Sequence, residues 1–285
     1  MKKTLYSKFD KKDITALPQV TFPGRIITIV SAGEADKAVE YLLQSDILGV
    51  DTETKPAFHR GEHHQVALLQ VATRDTCFLF RLNRIGMTPA VKKLLEDKAV
   101  KKIGLSWHDD IHMLEAREAF TPGLFVDLQD MVSELGIKDL SLQKLYANIF
   151  RQKISKRQQL SNWEAPQLND KQKQYASIDA WACILLYEEM QRLVATHDYD
   201  LVVVPEPENT MTAPQTQKQG EEQDTKHEAK KNESGTTADK SAHKKTVRRR
   251  KARARKRMAA RRKSSQETRQ TDGNQAKHLE ADTHV

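Results

Sequence analysis

The run Ile47-Leu48-Gly49-Val50 passes straight into Asp51-Thr52-Glu53, and this stretch restricts the fold most. Four apolar residues without alternation mark a strand buried on both faces, which calls for a sheet covered by helices on either side. Asp51 and Glu53 stand two residues apart, so on a strand they project to one face. Two anions side by side at the end of a buried strand repel one another unless a cation neutralises them. An all-oxygen pair of this kind suits Mg²⁺ or Mn²⁺. A strand that merely ends in polar residues at the surface gives the same pattern, so the segment alone does not decide.

Around this strand the chain alternates strand-like and helix-like patterns, as an α/β domain does. Arg25–Val30 reads as a strand and Glu34–Gln44 as an amphipathic helix. Gln65–Ala72 and Thr76–Phe80 form a hairpin across the turn Thr73-Arg74-Asp75. Pro89–Glu96 reads as helix, Val100–Gly104 as strand, Asp110–Glu118 as helix and Leu124–Val126 as a short strand. Helices are expected over Leu128–Leu135 and Leu142–Ile149. A long helix is expected over Asn169–Leu193, with Asn169 or Asp170 as its N-cap. Residues 1–24 are a polar lead-in with little periodicity, residues 25–204 the domain, and residues 205–285 a tail.

Charge separates tail from domain. Residues 206–285 hold 20 Lys/Arg and 12 Asp/Glu, which accounts for the whole net charge of +8. All 17 aromatic residues precede them. A segment without aromatics and with few branched apolar residues does not bury enough surface to offset its ordering entropy, so the tail is expected to be disordered. No apolar run approaches the roughly 20 residues that span a bilayer. The N-terminal residues lack the apolar core of a secretory signal. Cys77 and Cys183 stand far apart in apolar surroundings and read as buried thiols of a reducing compartment.

Two further constellations carry chemistry. Tyr175 and Asp179 are four residues apart on the long helix and share a face. A buried Tyr beside a solvated Asp would give the same spacing. In the segment Gly104–Leu114 a strand gives way to a helix near the doublet Asp109-Asp110, and acids there suit a helix start. His108 and His112 also stand four apart, but Asp109 occupies the place where a zinc helix has Glu, and no third ligand is evident. The His-rich segment Phe58–His64 could touch phosphates or be a solvated loop.

Together, the three acidic segments resemble in order and spacing the DEDD superfamily of 3′→5′ exonucleases, in its tyrosine-containing branch, the ribonuclease D and Werner-type group. Val50-Asp51-Thr52-Glu53 matches the family's first motif, and Asp110 with Leu114 its second. Tyr175 through Ala180 matches the third. Leu140–Leu145, and Lys156 followed by Leu160-Ser161-Asn162-Trp163, add to a likeness that covers about residues 25–195. The resemblance implies a ribonuclease H-like fold, with a mixed five-stranded sheet flanked by helices on both faces. The five strands are Ile47–Glu53, the hairpin pair, Val100–Gly104 and Leu124–Val126.

It also implies two divalent ions, Mg²⁺ or Mn²⁺, held by Asp51, Glu53, Asp110 and Asp179. Asp51 would bridge both ions and Tyr175 would orient the attacking water. Such a pair of ions stabilises the attacking and leaving oxygens of an in-line displacement. The substrate implied is the 3′ end of single-stranded nucleic acid, RNA or DNA, and the product a nucleoside 5′-monophosphate. No membrane or protein partner is expected. A non-catalytic nucleic-acid-binding or RNA-chaperone protein on the same fold is the alternative. The run 244–263 holds 13 Lys/Arg and no acid, a density that binds phosphate backbones without sequence preference. The expected location is cytoplasmic, or nuclear in a nucleated cell.

Overall fold

The computed structural model describes residues 2–205. The expected disordered tail, with its basic run 244–263, lies outside the described residues save for Pro205. In chain order the elements are β1 Lys3–Tyr6, α1 Lys11–Ala16, β2 Arg25–Ile29, α2 Ala32–Leu42, β3 Ile47–Thr54, β4 Val66–Ala72 and β5 Thr76–Phe80. They continue with α3 Leu82–Ile85, α4 Pro89–Glu96, β6 Lys101–Gly104, α5 Trp107–Arg117, β7 Phe125–Asp127 and α6 Leu128–Met131. A 3₁₀ turn at Val132–Leu135, α7 Leu142–Phe150, α8 Asp170–Thr196 and β8 Tyr199–Val202 complete the order.

The central sheet runs β2-β5-β4-β3-β6-β7. It is mixed: β3 pairs antiparallel with β4 and parallel with β6. Six strands form it rather than the five expected. Arg25–Ile29, already legible as a strand, docks parallel on the free edge of β5 and extends the sheet by one. Its half-exposed pattern is that of an edge strand.

Two apolar layers cover the sheet. One joins Leu68, Ala72 and Leu79 to α7 and α8, through residues such as Leu145, Ala176 and Ile184. The other joins Leu48, Val50 and Val71 to α2, α4 and α5, through Val39, Leu94 and Leu114. Helices on both faces explain why Ile47–Val50 of β3, and every residue of β4 except Gln70, are apolar and buried. Among the described residues no helix is long and apolar enough to cross a membrane.

The N-terminal segment departs from the polar lead-in expected of it. β1 pairs parallel with β8, from Lys3 opposite Tyr199 to Tyr6 opposite Val202. Leu5, Phe9, Ile14, Val20 and Phe22 are buried. Phe9 and Ile14 pack with Ala147 of α7, while Leu5, Val20 and Phe22 join the apolar layer that holds α7 and α8, so their spacing follows distant partners and not one local period.

Close approach between β3 and α8 depends on one glycine. A Cβ on Gly49 would lie 2.0 Å from the Ala180 carbonyl oxygen. Only a residue without a side chain lets helix and strand meet at this distance. Asp51 lies two residues along β3 from Gly49, and Asp179 is next to Ala180 on α8.

Candidate active site

β3 carries Asp51 and Glu53 out of the buried sheet beside α8. One carboxylate oxygen from each of Asp51, Glu53 and Asp179 falls within 4.8 Å of the others. Glu53 and Asp179 are 8% and 6% exposed, and Asp51 is half-buried. Carboxyl groups this close together, and this far from water, bind protons more tightly than they do in water. Burial pushes the Glu53 carboxyl up to about 10, with Asp51, Asp179 and Asp110 adding repulsion. Asp51 is raised well above the usual range, by burial first and then by Asp179 and Asp110. Burial lifts Asp179 to about 7, opposed by the Tyr175 hydroxyl and the Lys156 ammonium, which favour the anion. A hard divalent cation relieves this strain, and three converging carboxylates fit one.

Asp110 stands apart from that trio on the first turn of α5. Its Oδ1 accepts a hydrogen bond from the Thr52 hydroxyl. Burial raises its carboxyl to about 6; the Thr52 contact lowers it, while Asp109 and Asp127 push it higher. The two acids of the doublet are placed differently: Asp109 is exposed and Asp110 is half-buried.

The start of α5 is fixed from outside the helix. It begins at Trp107, earlier than the expected Asp110, because the Asp127 carboxylate caps it. Asp127 accepts from the Ser106 and Trp107 backbone N–H groups, both at 3.0 Å. Ser106 thereby holds a left-handed conformation at φ 62° that a serine rarely adopts. Asp109, expected as a possible cap, makes no such contact; the carboxylate that does comes from β7.

Tyr175 lies one turn before Asp179 on α8 and is buried against Trp163, with ring centroids 6.0 Å apart. Burial and the neighbouring acids Asp179 and Glu53 push the phenol far above its ordinary range, so it stays a donor. Asp51, Glu53, Tyr175 and Asp179 line a cleft of about 280 Å³. Thr52, Gln143, Lys156 and Gln159 line it too. None of these four is an acid; Gln143, on α7, and Lys156 belong to the segments that add to the family likeness, whereas Thr52 and Gln159 owe their place to register and a loop.

At the end of β3 the loop is tied to the segment before α8. His64 Nε2 lies 2.6 Å from Glu62 Oε1, and its Nδ1 lies 3.1 Å from Glu164 Oε1. Lys55 joins the same two carboxylates at 3.9 and 3.8 Å. Of the His-rich segment, His64 is therefore engaged and His59 and His63 are exposed. His108 and His112 are exposed as well, and among the described residues they form no metal-binding group.

The sequence profile described as "3'-5' exonuclease" matches residues 26–195. The chain is 29% identical over 187 residues to the mouse bifunctional 3'-5' exonuclease/ATP-dependent helicase WRN, covering 62% of this chain and 13% of that protein. In structure it resembles the Aedes aegypti Nibbler EXO domain, with a TM-score of 0.57 and 20% identity, over 64% of this chain and 95% of that one. Escherichia coli RNase D follows with a TM-score of 0.53 and 17% identity, over 62% of this chain and 52% of that one. The chain spans only a small part of the mouse protein; with the two structures it shares the ribonuclease H-like fold.

Proposed function

The chain belongs to the 3′-5′ exonuclease family of the DEDD superfamily, and from this we propose that it removes nucleoside 5′-monophosphates from the 3′ ends of single-stranded nucleic acid. The observation that carries the proposal is the meeting of Asp51, Glu53 and Asp179 within 4.8 Å beside Tyr175 in one cleft.

In this reading Asp51, Glu53 and Asp179 would hold divalent ions, Mg²⁺ or Mn²⁺, and Asp110 would support them from α5. Two such ions, when bound, stabilise the attacking and departing oxygens of a phosphodiester displacement. The Tyr175 phenol, kept protonated by its burial, orients the attacking water. Trp163 backs its ring and limits its movement. Lys156, on the cleft wall and in the field of Asp179, offers a positive charge to the substrate backbone. The basic run 244–263 adds sequence-independent phosphate contacts.

The test is incubation with 5′-labelled single-stranded RNA and DNA, with Mn²⁺ and with chelator. A ladder shortening from the 3′ end, dependent on the ion and lost in Asp179→Asn, is expected. Internal fragments, or full activity in chelator, would sink the proposal.

A further inference from the structure

We propose that Gln70 positions Asp51, its side-chain amide N–H donating to the Asp51 carboxylate when the site holds a cation. The inference rests on the metal-dependent function proposed above. The β3–β4 register sets Gln70 directly opposite Asp51. Direct cross-strand partners leave the sheet on one face with Cβ atoms about 4.5–5.5 Å apart, within reach of a glutamine amide.

Gln70 is fully buried, and neither its Oε1 nor its Nε2 has a hydrogen-bond partner among the described residues. A buried amide left unpaired is costly, and each such group calls for an explanation. The rest of β4 is Val66, Ala67, Leu68, Leu69, Val71 and Ala72, all apolar and all buried. An apolar residue would fill the position without the cost of the buried amide, so packing does not account for Gln70.

What an apolar residue lacks is a donor, and Asp51 is short of one. Its own surroundings supply the backbone of Thr52 and, beyond that, the repelling acids Asp179 and Asp110. Metal-ligating carboxylates are commonly held by a hydrogen bond from behind, and losing that partner weakens metal affinity by roughly 10- to 100-fold. A glutamine donates without adding charge, which suits a site already crowded with anions. A loaded site would give the Gln70 amide the partner that its protein surroundings do not supply.

The full-length protein tests this with Gln70→Met and Gln70→Leu, which keep volume and remove the donor. Melting in chelator should occur at or above the wild-type temperature, because the unpaired amide is gone. Calorimetric Mn²⁺ affinity, and the Mn²⁺ concentration that half-completes thermal stabilisation, should both worsen by about 10- to 100-fold. An unchanged Mn²⁺ response overturns the inference whatever happens in chelator. So does a weakened response confined to a variant whose metal-free melting temperature has dropped, since packing would then be the cause. Wild-type protein that gains no stability from any divalent ion would instead sink the metal reading itself.

Discussion

The Thr52 hydroxyl donates to Asp110 Oδ1, so the residue between Asp51 and Glu53 ties the strand bearing two acids to the helix bearing a third. Asp110 has no place in the trio around Asp179, and this contact holds it beside β3. Thr52→Val, equal in shape, removes the donor. A hydrogen bond to a charged group contributes about 1.5–3 kcal/mol, so kcat/KM should fall about 10- to 100-fold. Thr52→Ser should retain most activity. Equal turnover in the valine variant and the wild type would show that Asp110 needs no such guide.

Proton linkage at the acid cluster gives a second expectation. The raised carboxyls, Glu53 at about 10, Asp179 at about 7 and Asp110 at about 6, bind more protons folded than unfolded. Stability of the metal-free protein therefore falls as pH rises from the ordinary carboxyl range through these values. Melting in chelator should be higher near about pH 5.5 than near about pH 8, and the gain from Mn²⁺ should be larger at the higher pH. Asp51→Asn should raise the metal-free melting temperature, flatten its pH dependence and abolish cleavage. A metal-free melting temperature that climbs between those two pH values would rule out a protonated cluster.

Asp109 and Asp110 should separate cleanly. Asp109 is exposed in the first turn of α5, whose cap is Asp127. Asp109→Asn should cost only about 0.3–1 kcal/mol through the helix dipole and leave turnover nearly intact. Asp110→Asn should lower turnover by more than the roughly 100-fold that marks loss of a supporting partner. Paired kinetics and denaturant melts measure both, and the reverse ranking would move the functional acid by one residue.

Gly49→Ala places a methyl 2.0 Å from the Ala180 carbonyl, and α8 must retreat. Overpacking of this kind costs about 1–3 kcal/mol, but activity should fall further than stability, because the retreat separates Asp179 from Asp51 and Glu53. Gly33→Ala, in α2 with open space around it, serves as the control and should stabilise by about 0.5–1 kcal/mol. Mn²⁺ affinity that survives in Gly49→Ala would show that the site tolerates the shift.

Much of this was legible in the chain itself. The acid strand, the hairpin after it and the Tyr175–Asp179 helix each carry a local period, and local periods survive without knowledge of partners. The family match over residues 26–195 agrees with a likeness already readable from those motifs. What escaped depends on register or on distant partners. β1 and β8 are four residues each and stabilise one another from opposite ends of the domain. Asp127 caps a helix twenty residues earlier in the chain, which hides the true start of α5. Thr52 and Gln70 look ordinary in sequence; only the packing of β3 against α5 and β4 gives them a task.

Pairing between the first strand and the last also sets an order in time. On the ribosome β1 emerges before the other described elements, yet its partner Tyr199–Val202 follows all of them. Asp51 and Glu53 likewise leave the ribosome long before Asp179. Contacts so far apart in sequence form late, because the chain between them must first be closed into a loop. A growing chain therefore carries two of the acids before the third, and the trio assembles only once α8 has been made.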